Sequence, residues 1–208
     1  MTDLEARAPG RRDRKKQQTR AALIAAALRL VDERGLERVT VEEISEAADV
    51  SPRTFFNYFA SKDDAIIGDP LVDDRETRER LAAIAPTVPI VDALLQVLSP
   101  AVARIQADQE IWFIRMRVIE ANPMLLPALL ARGASAEREY IAAIADRVDA
   151  APDSAYPQVA AAVTGAAFRA ALLRWAACAG ARPLSELVHE AFGLVASGLA
   201  VPTNERVR

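Results

Sequence analysis

The chain has 208 residues, 51% of them apolar and 5% aromatic, with a formal charge of −3 and one cysteine, Cys178. That length supports one substantial core or two smaller ones, and a lone cysteine excludes an intramolecular disulfide and the usual cysteine-based zinc sites, in keeping with a reducing cytoplasm. The negative charge alone argues against a nucleic-acid partner, yet it is unevenly placed: residues 1–62 carry 12 Lys and Arg against 10 Asp and Glu, and the remainder 14 against 19.

The basic excess is sharpest in residues 1–20, which suggests a flexible basic arm over 1–18. A long helix follows. Leu23, Ala27, Leu30 and Val31 recur at helical spacing, and Gly35 sits where a helix C-cap belongs. A basic run before an apolar one also describes a signal peptide, and a secreted or membrane-associated helical protein is the third reading of this chain. Against it, Arg29 and Asp32-Glu33-Arg34 interrupt the apolar run, and no other run approaches the roughly 18 residues that span a bilayer. The expectation is a soluble, cytoplasmic protein without a membrane partner.

Two short capped helices come next. Thr40 and Glu43 form a capping box, so a helix starts at Val41, with Ile44, Ala47 and Ala48 on its apolar face. Asp49 stands at the turn, being one of the few non-Gly residues that tolerate a left-handed backbone. Ser51 caps the next helix and Pro52 fills its first position, where a missing N–H costs nothing. Residues 53–59, aromatic and polar, would enter a major groove.

The series Gly35, Thr40, Ile44, Ser45, Ala48, Asp49, Val50, Ser51, Thr54, Phe55, Phe56, Tyr58, Phe59, Lys62 and Ala65 resembles the DNA-binding segment of the tetracycline-repressor (TetR) family of bacterial regulators. It departs from that pattern at Ser45 for Ala, Asp49 for Gly, Phe56 for Tyr and Ala65 for Leu. Phe56 lacks the hydroxyl that often holds a phosphate there, leaving a ring to meet a sugar or a base methyl. The resemblance implies a helix-turn-helix over 19–62.

Residue chemistry assigns roles within that head. Arg53 can donate two bonds to guanine O6 and N7, and Asn57, one turn on, can address an adenine edge. Thr54 and Tyr58 offer hydroxyls to phosphate or thymine. Thr40 and Lys62 lie at helix starts, where phosphates are favoured, and Arg12, Arg14, Lys15 and Lys16 can follow the backbone or minor groove. Phe55 and Phe59 are expected in the core.

Beyond Ser61, Gly68-Asp69-Pro70 interrupts a further helix, and 71–84 continues helical until Pro86 and Pro89. Helices are expected near 90–107, 109–121, 124–149, 155–178 and 184–200, with stops at Asn122-Pro123, Ala151-Pro152 and Gly180 to Pro183. No strand pattern competes, so the fold class is all-α, with a helical effector and dimerisation domain over 63–201 and a tail at 202–208.

Segments Arg115 to Leu125 and Arg169 to Trp175 are similar to actinobacterial members of the family whose second domain, as in the mycofactocin-cluster regulator, takes acyl-CoA-like ligands. Trp112, Phe113 and Met116, with Phe168, Leu172 and Trp175, form bulky apolar stripes that suit either a core or a cavity. Glu120, Arg115 and Arg169 beside them are candidate polar groups of that cavity or mutual ion pairs. Arg115 or Arg117 could meet the phosphates of a CoA moiety. On the last helix Leu184, Leu187, Val188, Ala191, Val195 and Leu199, and before it Val159, Val163, Ala167, Ala170 and Ala171, suggest a homodimer interface. His189 has no partner motif, and no catalytic or metal-ligand spacing is present, so neither an enzyme nor a cofactor or metal is expected.

The reading is thus a homodimeric repressor released from a palindromic double-stranded DNA operator by a small apolar or amphipathic effector, with acyl-CoA as the candidate. The alternative is a DNA-binding regulator of the same fold with no pocket, controlled by a partner protein or constitutive.

Overall fold

The computed structural model describes residues 11–68 and 74–200, without the side chains of 11–13 and 74–76. The described residues form helices joined by turns, and the all-α expectation holds. The helices are α1 (Arg11–Arg34), α2 (Val41–Ala47), α3 (Pro52–Phe56), α4 (Lys62–Ile67), α5 (Asp74–Ala83), α6 (Ile90–Ala107), α7 (Gln109–Ala121), α8 (Leu126–Val148), α9 (Ala155–Ala177) and α10 (Leu184–Ala196). The chain divides into two compact units, one of Met1–Asp69 with Glu110–Leu129, the other of Pro70–Gln109 with Leu130–Arg208.

In the first unit, α1 contributes Leu23, Ala27, Leu28 and Val31 to a core completed by Ile44, Phe55, Phe59 and Ile66. Each of these side chains larger than alanine, fully buried, is worth about 1.5–3 kcal/mol over its exposed state. Gly35, at φ 86, closes α1, its N–H donating to the Val31 carbonyl at 2.8 Å. The unit also takes in α7, whose Ile114, Val118 and Ile119 join the same core together with Leu125. The compact body around the reading helix therefore extends past residues 19–62.

Two ties fix α7 to the helices before it. Arg117 makes a bidentate pair with Asp32, Nη2 to Oδ2 at 2.6 Å and Nε to Oδ1 at 3.3 Å. Arg115 donates from Nε to the Ile66 carbonyl at 3.0 Å, capping the end of α4. Its guanidinium lies where a side chain at Gly68 would have to go: a Cβ there would meet Nη2 at 2.7 Å, and φ is +78. Gly68 thus serves both the backbone turn and the close approach of the arginine.

In the second unit α10 packs against α9 and α6. Leu184, Leu187, Val188 and Phe192 of α10 are buried with Trp175 and Phe168 of α9 and with Leu94, Val97 and Ala101 of α6. Arg147 of α8 donates to four backbone carbonyls, those of Leu81, Ile84, Ala85 and Val88, at 2.8 to 3.2 Å. One charged group thereby holds the turn from α5 to α6. Arg182 and Arg174 both pair with Glu190 and hold its carboxyl below the usual range.

Two sequence expectations need correction here. Most of the last-helix stripe expected at a dimer interface is spent inside the subunit, since Leu184, Leu187, Val188 and Ala191 are buried, while Val195 is half-buried and Leu199 exposed. Secondly, α6 and α9 are by length and composition apolar enough to cross a membrane, although no such run was foreseen. Single polar residues, such as Asp92, Gln96 and Arg104 in α6 and Gln158, Arg169 and Arg174 in α9, break each run in the sequence and conceal its apolar length. Each helix supplies buried core residues to the second unit, as core helices of globular proteins do.

Candidate nucleic-acid interface

The start of α2 is built as its sequence implies. Thr40 Oγ1 accepts from the Glu43 N–H at 3.2 Å, and the Glu43 carboxylate accepts from the Thr40 N–H at 2.9 Å. A cap of this kind is worth about 1 kcal/mol. The Thr40 N–H first, then its hydroxyl and Arg34, hold the Glu43 carboxyl below its ordinary value, so the cap keeps its charge into mild acid. Ile44 and Ser45 are buried, whereas Ala47, expected inward, is exposed. Ser45 tolerates burial because its hydroxyl donates to the Val41 carbonyl at 2.7 Å.

The turn is a Schellman closure. Asp49 N–H donates to the Glu46 carbonyl at 3.0 Å and Val50 N–H to that of Ser45 at 2.9 Å, with Asp49 at φ 55. Ser51 then caps α3, accepting from Thr54 N–H at 3.2 Å, with its hydroxyl 2.9 Å from that of Thr54. The reading helix is shorter than 53–59: it ends at Phe56, with Asn57 as its C-cap. Phe55 and Phe59 are buried as expected.

Pro52, Arg53, Phe56 and Asn57 are exposed, and Thr54 and Tyr58 half-buried. Arg53, Phe56 and Asn57 stand three and four positions apart, so they share one side of the short helix. Arg53 makes no ion pair with any described residue. Behind them, Arg20 of α1 donates to the Tyr58 carbonyl at 2.7 Å and lies 4.2 Å from the centroid of the Phe59 ring. Arg20 was not singled out from the sequence, since only the fold brings it to a carbonyl 38 residues away.

Other expected contacts change character. Arg14, Lys15 and Lys16 are exposed but sit on α1, which begins at Arg11, so residues 11–18 are helical and not a loose arm. The side chain of Arg12 lies outside the described residues. The Thr40 hydroxyl is occupied by the capping box. Lys62, expected to hold a phosphate, donates instead to the carbonyls of Leu36 at 2.7 Å and Val39 at 3.1 Å. Its ammonium is committed to the turn that follows α1.

This difference predicts opposite behaviour for two substitutions. Lys62→Ala should lower the stability of the protein by about 2 kcal/mol, as loss of charged hydrogen bonds does, without changing base preference. Arg53→Ala should leave the melting temperature unchanged, cost about 1–3 kcal/mol of operator affinity and relax selectivity at one base pair. Thermal melts beside operator titrations decide it. A Lys62→Ala protein that melts normally yet binds all duplexes weakly would restore the phosphate role.

The candidate effector residues fall into both units. In the first, Trp112 is buried edge-on to the half-buried Phe113, with ring centroids 5.4 Å apart, and Met116 packs against the core of that unit. Glu120 is exposed, so burial forces no partner on it. Arg115 and Arg117, expected to face a ligand, are committed to Ile66 and Asp32. In the second, Phe168 and Trp175 are buried, Leu172 half-buried and Arg169 exposed. Tyr140, which no sequence motif marks, has its hydroxyl buried beside Thr164; burial pushes its phenol well above the ordinary value.

Family models complete this picture. The model for bacterial regulatory proteins of the tetR family matches residues 23–65, and that for the MftR C-terminal domain matches residues 88–200. The chain belongs to the TetR family of regulators. Among relatives, it is 35% identical over 149 residues to the HTH-type transcriptional regulator TcmR of Streptomyces glaucescens, a match covering 67% of this chain and 64% of that one. The fold is similar to that of the fatty acid degradation regulator FadR from Bacillus halodurans, at TM-score 0.59 and 16% identity, covering 88% of this chain and 96% of that one. A TetR-family regulator from Mesorhizobium loti matches at TM-score 0.54 and 19% identity, covering 89% and 97%.

Within this TetR-family chain, α9 carries a second apolar face. Val159, Ala162, Val163, Ala166, Ala170 and Leu173 are all exposed, Val159 by 58% and Leu173 by 66%. They recur at intervals of one to four along one helix. Val159, Val163 and Ala170 were expected at an interface; Ala167 and Ala171 lie buried within the subunit.

Proposed function

We propose that the protein is a homodimeric, ligand-responsive transcriptional repressor that binds a palindromic DNA operator and releases it when an apolar or amphipathic effector of acyl-CoA type binds. The observation that carries the DNA half is the doubly capped α2–turn–α3 segment, which offers Arg53 and Asn57 to a groove while Phe55 and Phe59 anchor it below. One such helix covers only a few base pairs, so two copies are needed for a specific site. The exposed apolar face of α9 supports pairing of the copies, because an uncovered row of that length is unfavourable on a monomer.

The effector half rests on the match of residues 88–200 to the MftR C-terminal domain, together with the resemblance of 115–125 and 169–175 to regulators that take acyl-CoA-like ligands. An effector that binds the released form better shifts the population toward it, by no more than its difference in affinity for the two forms. With Arg115 and Arg117 already paired, the acyl chain supplies most of the affinity.

Titration of the operator complex with acyl-CoAs of graded length tests this reading. Affinity should climb by up to about 0.8 kcal/mol per buried methylene, then level off when the cavity is full. Free CoA should not release the operator. Release by free CoA alone, or no release at any length, would favour a regulator of the same fold with a solid second unit.

A further inference from the structure

The reading face of α3 carries one side chain with no hydrogen-bonding chemistry. Phe56 is 57% exposed, on the same side as Arg53 and Asn57. It is neither core nor loosely hung. Its ring stands edge-on to the fully buried Phe55, centroids 5.5 Å apart and planes at 84°. Phe55 in turn lies 5.5 Å from Phe59, whose ring carries the Arg20 guanidinium. The exposed ring is thus braced from behind by a buried aromatic stack that runs back to α1. A rigid ring gives up little side-chain entropy when it makes a contact.

In a major groove, donors and acceptors line every base pair, and the distinctive apolar feature is the thymine C5-methyl. A phenyl ring can neither hold a phosphate nor satisfy a base edge. It can cover a methyl group, and Arg53 and Asn57 on either side can address hydrogen-bonding edges of neighbouring bases. We propose, building on the DNA-reading function above, that Phe56 is a specificity-determining residue that reads a thymine methyl in each half-site. Packing against sugars is the competing role, and it would carry no sequence information.

Chemical removal of the methyl separates the two. A duplex is first selected from a random pool by the full-length protein. Each thymine in it is then replaced singly by deoxyuridine, and affinities are measured for the wild type and for Phe56→Ala. At one thymine per half-site the wild type should lose about fourfold in affinity per methyl, the factor that burial of one such group is worth. Phe56→Ala should bind the thymine and uracil duplexes equally. Uracil tolerated at every position by the wild type overturns the proposal without reliance on any variant. A Phe56→Ala protein that weakens on all duplexes alike yet keeps the uracil penalty also overturns it. A pool that yields no preferred duplex defeats the DNA-reading function itself, and this inference with it.

Discussion

Leu173→Glu is expected to turn the dimer into monomers and to lower operator affinity by about 10²–10⁴-fold, the factor by which linked sites exceed single ones. Leu173 projects 66% exposed from α9 beside Ala166 and Ala170. On the proposed two-fold face, a carboxylate at this position would be desolvated against apolar neighbours and brought near its own copy, a cost with no compensating partner. The subunit itself should melt normally, because the position contributes nothing to its core. Sedimentation of the variant and titration of a full palindrome beside a half-site provide the measurement. A variant that remains dimeric places the interface elsewhere.

Operator affinity should also fall steeply with salt. If the dimer contacts about 6–10 phosphates, the log–log slope is roughly −5 to −9, so affinity drops by about 10³–10⁵ between 50 and 200 mM salt. The net charge of −3 does not oppose this, since Arg14, Lys15 and Lys16 project exposed from the start of α1 in the reading unit. Lys62 and Arg115 should add nothing to the slope, as both are committed to backbone carbonyls. A slope near zero would refute binding through the phosphate backbone.

The locally determined parts of this fold were open to reading. Thr40 with Glu43, Asp49 at its left-handed turn, and Ser51 before Pro52 act through neighbours three or four residues away, and all stand where expected. The arginines and Lys62 were not legible in the same way. Lys62 reaches a carbonyl 26 residues back, Arg20 one 38 residues on, and Arg115 one 49 residues back. No spacing rule reports such partners, so each had been given to phosphate or ligand, or passed over. Amphipathic periodicity has a similar blind spot. It shows that α10 has a face to bury, but not that α6 and α9 of the same subunit bury it. On α9 the two apolar faces merge into a helix without evident sidedness, so the outward Val159, Val163 and Ala170 were grouped with the inward Ala167 and Ala171.

The membership of α7 in the first unit has a consequence for how the molecule is made. Ile114, Val118, Ile119 and Leu125 close a core begun by Leu23 and Ile44, so the reading head is discontinuous in the chain. A ribosome adding about 5–20 residues each second must make α5 and α6 before the segment that finishes the head emerges. During those seconds the core begun by Leu23 and Ile44 lacks Ile114, Val118 and Ile119. A fragment ending at Gly68 would stay in that state, lacking both its Arg115 cap and the apolar side chains of α7, and would be drawn toward aggregation more than toward DNA.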